Sequence, residues 1–239
     1  MRSTKLFIAV GVTALAVFGA AGEDGALRMT GITNDVRNYT ISGVMSVAGT
    51  DAKISGKMTQ KVLKVEDNGN LTLQDTENMT IEVNGQELPP QVAVSVTVMK
   101  PDGTIVEIRG DETGASAYRI ATIESIKLPD FALANDKTWT YDFPADAKTG
   151  VVKAHGDYKV LGSEKLHGID AWKIQTKVNE LEGDTPAGVE GTVWLNKKDG
   201  SLVKVDGKAT NLPVPAAPGP VSGTEVIELV PSAAAAAGK

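Results

Sequence analysis

Three observations predict an all-β protein, or a β-dominated α+β one, built as a curved antiparallel sheet. Apolar residues recur with a period of two, tight-turn dipeptides separate the alternating stretches, and helical periodicity is almost missing. Tyr39, Ile41, Met45 and Val47 alternate with Thr40, Ser42 and Ser46, and Val92, Val94, Val96 and Val98 with Ala93, Ser95 and Thr97. Trp139, Tyr141 and Phe143 alternate with Thr138, Thr140 and Asp142, and Trp172, Ile174 and Val178 with Lys173, Gln175 and Lys177. Successive side chains of a strand point to opposite faces. Each stretch is therefore expected to turn its apolar residues to a core and its polar ones to water, as in an antiparallel sheet wetted on one side. Asn68-Gly69, Asn84-Gly85, Asp102-Gly103 and Asp199-Gly200 fall between such stretches and readily adopt hairpin turns. Counting stretches between turns gives about ten to twelve strands, arranged as a half-barrel or open barrel.

Residues 1–22 read as a signal peptide. Arg2 and Lys5 precede the uncharged stretch from Leu6 to Phe18, small residues follow from Gly19 to Gly22, and Glu23 and Asp24 restore polarity. The apolar run is shorter than the roughly 20 residues that span a bilayer, so cleavage is expected and no membrane span after it. While attached, this stretch is expected to be an isolated helix packed on little. No cysteine follows it to carry a lipid anchor. Residues 23–230 are then expected to form one β-rich domain, with two similar halves at about 36–125 and 136–230 left open. The hint of duplication is a gapless match of VTVMKPDGTIVEIRG (96–110) with VWLNKKDGSLVKVDG (193–207), a grammar that any two hairpins share. The helical candidates are short: 23–35 and a turn near Pro129 to Asn135. Leu212 to Val221 is Pro-rich and reads as an extended loop, Glu225 to Val230 as the last strand, and 231–239 as a disordered tail.

Losing Arg2 and Lys5 moves the net charge from −6 to −8, which disfavours nucleic acid and anionic lipid as partners. Cysteine is absent, which rules out thiol catalysis and thiolate metal sites and suits a bacterial periplasmic or secreted protein. The Asn-x-Thr triplets at Asn38, Asn70 and Asn78 read as chance in Thr-rich strands.

Chemical signatures are scarce. His155 and Asp157 share one strand face, but no third ligand stands at useful spacing, and His155 and His167 read as surface histidines, so no metal site is expected. Glu66, Asp67 and Asn68 lack the acidic alternation of a calcium loop and read as a turn. No Gly-x-Ser-x-Gly elbow or phosphate-cradling glycine loop occurs, and Ser163 and His167 bracket a turn. No catalytic residue and no cofactor is expected. The candidates for ligand contact are Trp139, Tyr141, Trp172 and Trp194. Aromatics on a concave sheet line lipid or sugar sites, yet they more often serve as core, the favoured reading for Trp139 and Trp172. The facing of Trp194, between Val193 and Leu195, stays undecided.

YKVLGSEKLHGIDAWKI (158–174), followed by the Asp199-Gly200 hairpin, resembles the carboxy-terminal half of bacterial envelope proteins similar to the lipoprotein carriers LolA and LolB. The residues carrying the resemblance are Tyr158, Val160, Gly162, Glu164, Gly168, Trp172, Trp194, Asp199, Gly200 and Val203. It implies an open, strongly curved half-barrel with an apolar concave face for acyl chains and helices closing its mouth. No amphipathic helix of useful length is evident here. The expected function is an exported, non-enzymatic envelope protein that binds a lipid-like or other apolar ligand, or a protein partner, on a curved sheet. A structural or interaction domain with a closed core is the first alternative, and an envelope-polymer hydrolase using dispersed carboxylates the second.

Overall fold

The computed structural model describes residues 25–111, 113–215 and 217–231. The expected signal peptide with its helix, and the tail beyond Pro231, lie outside the described residues. In the amino-terminal half the strands are β1 (Val36–Val47), β2 (Thr50–Val65), β3 (Leu71–Val83), β4 (Gln86–Glu87), β5 (Gln91–Met99) and β6 (Ile105–Gly110). After helix α1 (Ala115–Glu124) come β7 (Thr138–Phe143), β8 (Ala154–Leu166), β9 (Ile169–Glu180), β10 (Gly188–Asn196), β11 (Leu202–Leu212) and β12 (Val221–Leu229). All twelve join one antiparallel sheet in the order β6-β5-β3-β2-β1-β12-β11-β10-β9-β8-β7, with β4 beside β3. The curved, open all-β architecture is thus as expected. The sheet is two meanders sewn together at the β1·β12 seam. Its outer edges, β6 and β7, are linked only by the crossover 111–137 and do not pair with each other among the described residues.

Curvature brings the two halves onto one core. Tyr39, Ile41, Met45, Met58, Leu71 and Ile81 of the first meander and Val160, Ile174, Leu195 and Ile227 of the second belong to one buried cluster. The Tyr39 hydroxyl donates to the Leu202 carbonyl at 3.2 Å across it. The aligned turns at Asp102-Gly103 and Asp199-Gly200 close on the same strap. Met29 N–H donates to the Pro101 carbonyl at 2.7 Å, and a Cβ on Gly200 would lie 3.0 Å from the Arg28 carbonyl oxygen. Each turn aspartate accepts the backbone N–H two residues on, Thr104 or Ser201, at 2.9 Å.

Four expectations need correction. Residues 25–35 are not helical: Ala26, Leu27 and Met29 lie in irregular chain and are buried, because tertiary burial of these apolar groups outweighs a short helical pattern. A ten-residue helix does exist, at α1, where the reading saw none. It has no side-chain cap and no acidic first turn, and Ile120, Ala121 and Ile123 are buried, so it carries little of the amphipathic signal that marks a helix. Three of the four β5 valines, Val92, Val94 and Val96, lie on the outer face, while Val98 is buried. Register pairs Ala93 with Glu77, Ser95 with Asp75 and Thr97 with Leu73 on the inner face, so Thr97 is 1% exposed while Val92 is 59% exposed. Val92, Val94 and Val96 follow the outer row with Asn78, Thr76 and Gln74, because the inward alternation of β3 sets the register of its neighbour. β12 also starts four residues before the expected Glu225.

Candidate functional site: the chamber under α1 and its mouth

The crossover from β6 to β7 lies over the concave face and is fastened at several points. Arg119 on α1 donates Nε and Nη2 to the two carboxylate oxygens of Glu180 on β9, at 2.7 and 2.6 Å, and the Ala187 N–H reaches the same carboxylate at 2.8 Å. Lys127 is bound by Asp102 Oδ2 and Thr104 Oγ1 of the β5–β6 turn, and Leu128 N–H donates to the Asp102 carbonyl at 2.9 Å. Trp139 Nε1 donates to the Lys127 carbonyl at 2.7 Å. Its ring stacks on Tyr158 with centroids 5.1 Å apart and meets Phe131 edge-on at 6.3 Å. The Tyr118 hydroxyl accepts the Ile108 N–H of edge strand β6 at 2.9 Å, satisfying a donor that no strand covers.

Two hollows remain. Beneath the last turn of α1 is a cavity of about 50 Å³ walled by Val178, Val189, Leu195, Leu202 and Ile227, with Glu124, Ser125, Thr176, Thr192 and Glu225 among its lining. Between the unpaired edges lies a half-open cleft of about 190 Å³, lined by Ile105 and Val106 of β6, Tyr118 and Thr122 of α1, and Tyr141 and Phe143 of β7. Ser125 borders both. A third concavity, of about 840 Å³, crosses the outer face from β7 to β12. In it Asp157, Lys177, Glu190 and Lys208 stand side by side on successive strands, a ladder of alternating charge that is a solvated sheet surface.

The four aromatic candidates do not converge. Tyr141 lines the mouth; Trp139 stands behind it as packing for the crossover; Trp172 packs on the inner core, with Lys197 Nζ 3.8 Å from its ring centroid. Trp194 faces the opposite side of the sheet. It forms a small outer cluster with Ala171 and Val203, donates Nε1 to Glu164 Oε2 at 2.9 Å, and lies between Lys173 and Lys204. The undecided orientation is settled by register: Trp194 pairs with Lys173, an outward residue of β9. Spacing alone also could not bring Asp142 to His155. Register sets them opposite each other, with His155 Nδ1 2.6 Å from Asp142 Oδ1 and Nε2 3.4 Å from Asp157 Oδ1. The bond from Asp142 holds the imidazolium above its ordinary pKa. The two aspartates are exposed and His155 is half-buried, and no group of three or more metal-ligating side chains occurs among the described residues.

Sequence reasoning also missed the inward carboxyls. Asp75 on β3 is 1% exposed and takes its one hydrogen bond from Gln60 Nε2 at 2.9 Å. Glu225 on β12 is 8% exposed. Burial raises both, each to about 7. Their signal was present in the sequence as an acidic residue in step with apolar ones, Asp75 with Leu71 and Leu73, and Glu225 with Ile227.

The molecule is thus a half-barrel with unpaired edges, a filled concave face and a helix across its mouth. No family model and no curated protein matches the chain. Among solved structures it is similar to a protein described as exported, with a YmcC-like fold, from Bacteroides fragilis. That likeness has 10% identity and a TM-score of 0.29 and covers 86% of this chain and 99% of that one. It is also similar to a DUF1329 family protein from Desulfovibrio piger, at 14% identity and a TM-score of 0.23, covering 83% and 85%. Likenesses this distant carry no argument about what the protein does.

Proposed function

We propose that this is an exported, non-enzymatic protein of the bacterial envelope that holds a short apolar group in the mouth between β6 and β7. The observation behind it is the cleft itself: an apolar space of about 190 Å³ kept open between two strand edges that face each other unpaired. Export rests on the charged start, apolar run and small residues of 1–22. The concave face is filled by its own side chains, and drug-sized ligand pockets run to about 300–1,000 Å³. A whole diacyl lipid is therefore outside the reading, and a single short chain or ring is within it. The same filled face favours one other reading, a closed-core interaction domain without a small-molecule ligand.

Titration with the fluorescent apolar probe N-phenyl-1-naphthylamine separates the two. Saturable binding is expected, abolished by Thr122→Trp, which fills the mouth, and kept by Trp194→Phe on the far side of the sheet. Thermal melts of both variants check that they fold. Native mass spectrometry of protein isolated from its own envelope should show a co-purifying small molecule. A bare mass together with no probe binding overturns the proposal in favour of the closed core.

A further inference from the structure

Glu225 occupies a position where the sheet pattern calls for an apolar side chain. Register places it beside Gly43 on β1 and Gly207 on β11, and the same inward row continues through Gly191 on β10 and Thr176 on β9. Three glycines in one row remove the side chains that would otherwise lie over the carboxyl. Two are demanded by strand approach. A Cβ on Gly43 would come within 2.2 Å of the Thr224 carbonyl oxygen, and one on Gly191 within 2.4 Å of that of Asp206. Gly207 is different: a Cβ there would meet Val205 at 3.6 Å, an ordinary van der Waals contact, so no strand carbonyl demands glycine at this position.

The result is the trough under α1. Its volume of about 50 Å³ exceeds the roughly 10–15 Å³ that one water requires. Its walls are aliphatic, its polar floor is Glu225 with Thr176, and Glu124 contributes a second carboxyl from α1. No basic side chain lines it. Glu225 Oε2 is buried without a hydrogen-bond partner. An uncompensated carboxyl in an apolar, water-poor hollow is costly unless a donor or cation meets it.

We propose that this trough binds a short-chain primary ammonium, its N–H groups donating to Glu225, Glu124 presenting a second carboxyl to it, and its alkyl chain lying along Val178, Val189 and Leu202. A compact ammonium suits the space, brings the donors the floor lacks, and leaves an apolar remainder that the walls match. The inference uses the mouth only as the way in, through the Ser125 turn that borders both spaces.

Binding should depend on pH. The groups facing Glu225 are Gly43 and Gly207 on the flanking strands, Thr176 across the trough, and Glu124 as the other titratable one. Burial holds Glu225 near 7, so its ionised fraction, and with it the affinity for a permanently protonated amine, grows as pH rises through that value.

Isothermal titration of the full mature chain with n-propylammonium chloride tests this, with n-propanol as the neutral analogue of the same shape. At pH 8 the ammonium should bind at least about tenfold more tightly than the alcohol, about 1.4 kcal/mol. That preference should collapse at pH 5.5 and in Glu225→Gln. Gly207→Ala, which narrows the trough without touching its charge, should weaken both compounds. Equal affinity for ammonium and alcohol at pH 8, or a preference that survives in Glu225→Gln, overturns the inference. If Glu225→Gln does not fold, the Gly207→Ala and pH results decide alone: an ammonium preference that is the same at pH 8 and pH 5.5, or affinities for both compounds untouched by Gly207→Ala, refutes it. Naphthylamine binding at the mouth without ammonium selectivity would sink this inference and leave the proposed function standing.

Discussion

Replacing Asp75 by Asn should abolish a pH dependence that the wild-type chain carries in its core. Asp75 is wholly enclosed on the inner face of β3, and burial moves its carboxyl from 3.8 to about 7, with the single bond from Gln60 working in the opposite direction. A carboxyl raised on folding binds its proton more tightly in the folded chain than in the unfolded one. Its stabilising contribution is complete below about 3.8 and is lost as pH rises towards 7. Between pH 5 and pH 8 the loss is on the order of 2.5 kcal/mol, a sizeable share of the 5–15 kcal/mol typical of a domain. Asn keeps the acceptor for Gln60 and has nothing to ionise. Urea unfolding of the mature wild-type and Asp75→Asn chains, in steps from pH 5 to pH 8, reads the effect as the difference between their extrapolated stabilities. That difference should shift towards the variant by about 2–3 kcal/mol as pH rises, with unchanged m-values. A difference that stays flat to within about 0.5 kcal/mol would mean that Asp75 ionises freely in the folded chain, and the account of a desolvated inner carboxyl would be wrong.

Two further outcomes follow from the same geometry. Arg119→Ala leaves the buried Glu180 with only the Ala187 N–H. It should cost about 3–5 kcal/mol and speed hydrogen exchange in α1 before the sheet, whereas exchange rising uniformly would show that α1 is not held by this pair. Gly43→Ala should destabilise by about 1–3 kcal/mol or more because its Cβ meets a strand carbonyl at 2.2 Å, while Gly207→Ala, two strands away on the same row, should stay within about 1 kcal/mol of wild type; denaturant midpoints of equal size would contradict the packing of the seam.

The sequence by itself determined the class of fold. Period-two alternation and four Asn-Gly or Asp-Gly turns specify hairpins, and hairpins specify an antiparallel meander, because both rules act over a few neighbouring residues. The inward faces of β1, β7 and β9 were legible for the same reason: Tyr39, Trp139 and Ile174 each lie in step with further apolar residues. What the sequence did not determine is whatever depends on a partner far along the chain. β5 turns Val92, Val94 and Val96 to the outer face because β3 turns Asp75 and Glu77 inward beside it, and no local rule contains that register. α1 is a helix because the crossover must seat Ile120 and Ile123 on the concave face and Arg119 on Glu180, contacts worth more than its weak intrinsic pattern. Trp194 parted from Trp139, Tyr141 and Trp172 because one residue's difference in alternation sends a side chain through the sheet to its other face. The glycine row with Glu225 is the clearest case. Gly43, Gly191 and Gly207 are scattered across 165 positions of sequence, and only the pairing of β1, β12, β11 and β10 lays them side by side around one buried carboxyl.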